Sequence, residues 1–219
     1  MTDLPLAADT SAQKGHNEFG ALPEWDLSDL YPGRDSMQLM SDLDKAKTEA
    51  KAFETDYKGK LDGLARNGGL IAAIKRIEAL GDLTGRLGSF AYLQYAQNTA
   101  DPDRAKFLGD LSQALTDLST GLIFFELELN RIDEAALEQA FADDAALARY
   151  RPWFAEVRKA KPYQLEDRVE ELFHEKSTTG SSAWNRLFDE TMASLKFDVA
   201  GEQLGLAQRA EDDQQQPAG

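Results

Sequence analysis

Cysteine is absent from the 219 residues. That excludes a disulfide framework, an iron–sulfur cluster, a zinc ribbon and a cysteine nucleophile, and it is compatible with a reducing compartment. Histidine is nearly absent too, with only His16 and His174. A triad or a zinc site built on imidazole therefore has little to draw on. Long apolar runs are also missing. The stretch Gly121-Leu122-Ile123-Phe124-Phe125 falls far short of the roughly 20 residues that span a bilayer. No basic start followed by an apolar stretch marks a signal peptide. The expectation is a soluble, cytoplasmic protein with no membrane partner.

Positive charge is scarce: 24 Lys and Arg stand against 39 Asp and Glu, for a net charge of −15. No basic stripe is present to meet phosphates, so nucleic acid is not an expected partner. The acidity concentrates at the ends, with six acids against Lys14 in residues 1–30 and five against Arg209 in residues 198–219. Such a distribution serves solubility. A hydrophobic content of 42% supports a sizeable core, and the length suits one large domain or two small ones.

Residues 1–21 are polar and without period, and are expected to be a disordered arm. Trp25, Leu27, Leu30 and Tyr31 then read as anchors before a Pro32-Gly33 turn. A helix is expected after Asp35, which with Gln38 resembles a capping box. Leu39, Leu43, Ala46, Ala50, Phe53 and Tyr57 form its apolar stripe, and Lys58-Gly59-Lys60 ends it. A second helix spans about Leu70 to Gln97. Gly81, Gly85 and Gly88 inside it each cost about 1 kcal/mol relative to Ala and imply close approach of a neighbouring helix, with a kink or hinge as the alternative. Asp101-Pro102-Asp103 opens a third helix. Its series Leu108, Leu111, Leu115, Leu118, Leu122, Phe125 and Leu129 becomes apolar all round near Phe124, which predicts burial on several sides.

Asp133 caps a short helix to about Phe141, and Pro152 opens another. Lys161-Pro162-Tyr163 is expected to be extended, because the residue before proline avoids the helical region. Helices follow from Gln164 to Lys176 and from Ala183 to about Ser194, separated by a Ser177–Ser182 loop whose serines can cap the second. The period then changes. Leu195, Phe197 and Val199 alternate, Ala200-Gly201 can turn, and Leu204 and Leu206 alternate on the far side. The fold class is therefore all-α, a multi-helix array of six or seven helices with one small C-terminal β-hairpin. Residues 208–219 read as a disordered tail.

Catalytic candidates are few. His174-Glu175 invites comparison with the H-E-x-x-H zinc signature, but Thr178 stands where the second histidine belongs, and His16 is remote. The simpler reading is a partly exposed histidine near a helix C-terminus. Glu126 with Glu128 and Glu170 with Glu171 are carboxylate pairs. Glu126 and Glu128 flank Leu127 in an apolar helix, so one could be forced inward and perturbed or could pair with Arg or Lys from a neighbouring helix. The hydroxyls of Ser177–Ser182 lie beside Gly180 without a P-loop pattern or a preceding strand. No nucleophile elbow and no dinucleotide fingerprint occur.

Lys161-Pro162-Tyr163-Gln164-Leu165, Glu170, Glu175-Lys176-Ser177, Thr179-Gly180 and Ala183-Trp184-Asn185-Arg186-Leu187-Phe188-Asp189-Glu190, taken in order, resemble the oligoendopeptidase F family of thimet-oligopeptidase-like zinc metallopeptidases. Trp25-Asp26-Leu27-Ser28-Asp29-Leu30-Tyr31-Pro32-Gly33 and Phe124-Phe125-Glu126-Leu127-Glu128-Leu129-Asn130 are similar to other stretches of the same N-terminal region. The resemblance covers about residues 22–206. It implies that residues 22–207 are the helical N-terminal region of a zinc metalloendopeptidase that hydrolyses short peptides, and that this region forms one wall of a deep substrate channel. In that family the zinc ligands and general base lie in a later domain carrying H-E-x-x-H. The resemblance therefore assigns no catalytic, cofactor-binding or metal-ligating residue here, and zinc belongs to the full-length family.

The partners it implies are a missing C-terminal catalytic domain or oligopeptides. Residues 208–219 depart from the family, which suggests a truncated member: a cloned piece, a split gene or a frameshifted product. The alternative is a free-standing helical peptide- or protein-binding module without catalytic activity. On the family reading, Trp184, Phe188, Phe197 and Leu206 are expected to form an exposed apolar surface.

Overall fold

In the computed structural model, residues 26–199 and 201–205 are described. The expected arm at 1–21, the anchor Trp25, Leu206 and the tail at 208–219 lie outside them. Helices α1 (Met37–Tyr57), α2 (Leu61–Asn67), α3 (Leu70–Ala96), α4 (Pro102–Thr120), α5 (Phe124–Arg131), α6 (Glu134–Asp143), α7 (Ala145–Ala148) and α8 (Arg151–Val157) follow one another closely. A 3-10 helix (Arg158–Tyr163), α9 (Asp167–Ser177) and α10 (Ser181–Ser194) lead to strands β1 (Lys196–Val199) and β2 (Glu202–Gly205). The fold is all-α with one antiparallel hairpin. Phe197 pairs with Leu204 and Val199 with Glu202, and the turn carries Gly201 at φ 91°.

Two hydrophobic clusters hold the helices. One joins Leu27 and Tyr31 to Leu39, Ala46 and Ala50 of α1, Leu80, Leu87 and Phe90 of α3, and Leu111 and Leu118 of α4. The other gathers α2, α5, α6, α7 and α8 around the C-terminal end of α1 and the start of α3, with Phe53, Leu70, Ile74, Phe124, Phe125 and Phe154 in its interior. Ile77 and Leu122 pack against both clusters. Phe53 lies with its ring 5.4 Å from Phe125, 6.0 Å from Phe124 and 4.7 Å from Tyr57. Offset and edge contacts of this kind favour aromatic packing.

The stripe expected on α1 is the buried one: Leu39, Ala46, Ala50 and Phe53 are interior. Its cap, however, is Ser36, whose side chain accepts the Leu39 N–H at 3.3 Å, and not Asp35. Asp101 and Asp133 cap as expected, each accepting two backbone N–H groups. Of the three α3 glycines, only Gly88 approaches a neighbour: a Cβ there would lie 3.5 Å from Leu115 Cδ1. Gly81 and Gly85 face open space, so close helix approach does not explain them.

The short helices α2 and α7 were not expected, since seven and four residues are too few to show a period, and α9 starts at Asp167 and not Gln164. Three further departures change how the chain runs. The third helix does not run on to Leu129. It stops at Thr120, where Leu122, Ile123 and Phe125 donate to carbonyls three residues back instead of four. This tightening turns the chain so that Phe124 and Phe125 enter the second cluster. Pro162 sits inside a 3-10 helix and not in an extended segment. Tertiary anchoring overrides the local preference there. Arg158 donates to the Leu129 and Ile132 carbonyls at 3.0 Å each, and Gln164 donates to the Leu127 carbonyl. Gly180 precedes α10 without a side-chain cap. The hydroxyls of Ser177, Thr178 and Thr179 instead return to the carbonyls of His174, Glu175 and Lys176, satisfying the end of α9.

Phe53→Ala is expected to cost about 3–5 kcal/mol in urea unfolding, the range for emptying a buried aromatic site. Met37→Ala on the exposed start of α1 should stay within about 0.5 kcal/mol. A Phe53→Ala loss no larger than that of Met37→Ala would mean that the second cluster is not a packed core.

Tyr31 gives a pH test. Burial, with added help from the hydrogen bond to Asp42 at 3.0 Å, pushes its phenol up to about 12. A raised pKa stabilises the fold fully below the unfolded value near 10 and loses that contribution as pH rises towards 12. Tyr31→Phe should flatten the fall in stability between these pH values. An unchanged alkaline profile would assign that fall to other groups.

Candidate functional site

A cavity of about 470 Å³ opens where α9 lies against α4 and α5. Its apolar wall is Ile77, Leu122, Ile123, Phe125, Leu127 and Phe173, and its polar groups are Ser119, Glu126, Glu170 and His174. The tightened segment after Thr120 contributes Leu122 and Ile123 to this lining.

Two side-chain contacts hold α9 down. Near its start, the Arg131 guanidinium pairs with Asp167 and holds that carboxyl below its usual range, the hydrogen bond outweighing partial burial. In its last turn, His174 Nε2 lies 2.6 Å from Ser119 Oγ. Ser119 Oγ also donates its proton to the Thr116 carbonyl at 3.1 Å. The Ser119 hydroxyl thus lies within hydrogen-bond reach of both the Thr116 carbonyl and the imidazole.

The carboxylates sort differently from the sequence expectation. Glu126 is exposed. Glu128 is half-buried, but it pairs with backbone and not with Arg or Lys: it accepts the Gly59 N–H at 2.6 Å and the Leu61 N–H at 3.4 Å. It thereby ties α5 to the start of α2, where Gly59 adopts φ 77°. Glu170 accepts the Leu165 N–H at 2.8 Å, ordering the entry to α9. Glu171 and Glu175 both lie within ion-pair distance of Arg168. Ser119 and Glu170 gained their places from contacts that no local pattern announces. The signal available for Ser119 was its position beside Gly121, where the helix stops.

The residues do not fit the zinc of the resembled family. Among the described residues no group of three or more His, Cys, Asp or Glu side chains could hold a metal ion, and His16 lies outside them. Structural and catalytic zinc sites need three or four such ligands. Among the same residues, no helix is long and apolar enough to cross a membrane. Neither α9 nor α10 buries a side chain. Trp184 is 69% exposed and Phe188 63%, as expected, while Phe197 is half-buried.

Part of the chain is similar to known proteins. Residues 128–197, from Glu128 in α5 to Phe197 in β1, match the family model described as Oligopeptidase F. Oligopeptidase PepF of Bacillus subtilis (strain 168) is 24% identical over 181 residues, which cover 83% of this chain and 26% of that protein. The chain thus spans about a quarter of the length of the curated relative it matches. No solved structure matches it. The similarity is distant but extends over most of the chain, and it is to the N-terminal region of oligopeptidase F.

The clasp between α9 and α4 is directly testable. Ser119→Ala removes the hydrogen bond to His174, worth about 1 kcal/mol or roughly a fivefold rise in local opening. Hydrogen exchange should therefore quicken along α9 while the interior amides of α1 and α3 keep their protection. Unchanged exchange in α9 would show that the Ser119–His174 contact does not hold it.

Proposed function

We propose that this chain serves as the N-terminal, substrate-channel-wall portion of an oligoendopeptidase F-like zinc metalloendopeptidase acting on short peptides, and that it is itself non-catalytic. The observation that carries the reading is the coincidence of the family match with one surface. The matched residues 128–197 include α9 and α10, whose apolar side chains Leu172, Phe173, Trp184, Leu187 and Phe188 stand exposed. Exposed apolar patches of this kind mark contact surfaces. A catalytic portion carrying H-E-x-x-H, supplied in one chain or by a second polypeptide, is the partner this surface fits. The alternative, a free-standing helical binding module, draws on the same patch but leaves the family match without a role.

Two measurements test the proposal. A PepF-type peptidase from which the corresponding N-terminal region has been deleted should regain hydrolysis of a short fluorogenic peptide when mixed with this chain. Trp184→Glu combined with Phe188→Glu should prevent that recovery. Failure of the wild-type chain to bind or rescue would favour the free-standing module.

Alone, the chain is expected to hold no stoichiometric zinc after dialysis and to hydrolyse no peptide with zinc added. Peptide hydrolysis of this type needs a metal-bound water and a polarised carbonyl, and the imidazole supply falls short of the ligand set. One zinc per chain, with activity removed by a chelator, would overturn this assignment.

A further inference from the structure

We propose that the cavity between α3, α4, α5 and α9 binds an organic cation with an apolar body: an ammonium or guanidinium group carried on a side-chain-sized hydrophobic stem. The open carboxylates of the cavity point to this ligand class independently of the peptidase reading. Glu126 makes no hydrogen bond or ion pair among the described residues, so its carboxylate is open. Glu170 spends one oxygen on the Leu165 N–H and keeps the other. His174 meets Ser119 through Nε2. The polar lining therefore holds two carboxylates with unpaired oxygens.

No lysine or arginine lines the cavity, and the bases nearby are already engaged. Arg131 pairs with Asp167, Lys58 with Glu54, and Arg168 with Glu171 and Glu175. A resident cation that would neutralise Glu126 and Glu170 is thus lacking. An anion would be repelled, and a purely apolar ligand would desolvate the carboxylates without pairing them. An ammonium or guanidinium supplies several N–H donors together with the opposite charge. The remaining wall suits its stem: Ile77, Leu122 and Ile123 are aliphatic and Phe125 and Phe173 aromatic, and aromatic rings can attract a cation. The volume of about 470 Å³ lies within the usual range for small-ligand cavities.

The test uses the full chain and amide chemical shifts. Phenethylamine is compared with phenethyl alcohol, its neutral counterpart of similar shape. The amine should saturate shifts at α9 and the start of α5 at least about tenfold more tightly than the alcohol, as a charge-assisted hydrogen bond requires. Its affinity should fall as salt rises. Glu126→Gln combined with Glu170→Gln should erase the difference between the probes. The Glu170→Gln side chain still accepts the Leu165 N–H, so the entry to α9 survives.

A second arm identifies the source of the cation, using capped phenylalanyl-lysine and phenylalanyl-norleucine amides. A preference for the lysyl peptide assigns the site to basic side chains. Selection in the amine pair alone assigns it to free amines, and both results support the cation site. Equal binding of amine and alcohol, selection that survives the double variant, or no binding of the amine would overturn the proposal.

Discussion

The turn at residues 121–123 is the constraint on which the rest of the arrangement depends. There the helical hydrogen bonding tightens between α4 and α5, and Phe124 and Phe125 just beyond both pack on Phe53. A Cβ on Gly121 would meet Glu54 Oε2 and the Leu118 carbonyl at 3.5 Å, an ordinary contact, so space does not demand glycine there. The three-residue hydrogen bonds of Leu122, Ile123 and Phe125 are poorer in geometry than helical ones. Burial of the two phenylalanines offsets this, at roughly 1.5–3 kcal/mol for each such side chain removed from water. The same turn sets Glu128 where it closes the α1–α2 junction, and leaves Ser119 as the last turn of α4 for His174 to meet. One irregularity therefore places the second core, the cap of α2 and the cavity.

Most of the helical framework was legible because it rests on period and capping. The stripe from Leu39 to Phe53 is borne out by burial, the Asp101-Pro102 start by the cap hydrogen bonds, and the hairpin by the pairing of its two strands. What the sequence could not convey is where a helix yields to packing. Leu122 and Phe125 keep perfect helical spacing across a break, because the spacing reports which residues are apolar and not how the axis bends. Pro162 misleads in the opposite sense: its local preference is overridden by Arg158 reaching the α5 carbonyls. Ser36 and Asp35 differ by one residue, and either is a competent cap. The backbone geometry decides between them.

The cavity was less legible for a related reason. Ser119 and His174 are 55 residues apart, and Glu170 is occupied partly by its own backbone entry. Contacts of this kind leave no periodic trace. The carboxylates were identifiable as candidates, yet their division of labour depends on tertiary position. Glu128 becomes structural because backbone N–H groups of the α1–α2 junction lie within its reach. Glu126, two residues earlier, turns almost to the other side of the helix and remains open. Pairs separated by two positions do not share a face, so a Glu-x-Glu pattern in a helix is two sites.

The α9–α10 unit is the part whose energetics differ most from the core. It buries no side chain of its own, so its place depends on Arg131–Asp167, Ser119–His174 and a few apolar contacts with α4. Surface ion pairs contribute at most about 1 kcal/mol and single hydrogen bonds about the same, so this unit should open well before the α1–α3–α4 layer. Loose docking has a consequence on the proposed channel-wall reading. A wall remote from the metal accelerates a reaction only when its contacts strengthen in the transition state; equal contact with bound substrate lowers KM alone. A surface covering this lightly held unit would restrain it further, so on that reading its geometry would be best fixed in the assembled enzyme. On that reading the exposed Trp184 and Phe188 couple assembly to substrate positioning, because the surface that buries them also fixes α9, and with α9 the carboxylate and imidazole it carries into the cavity.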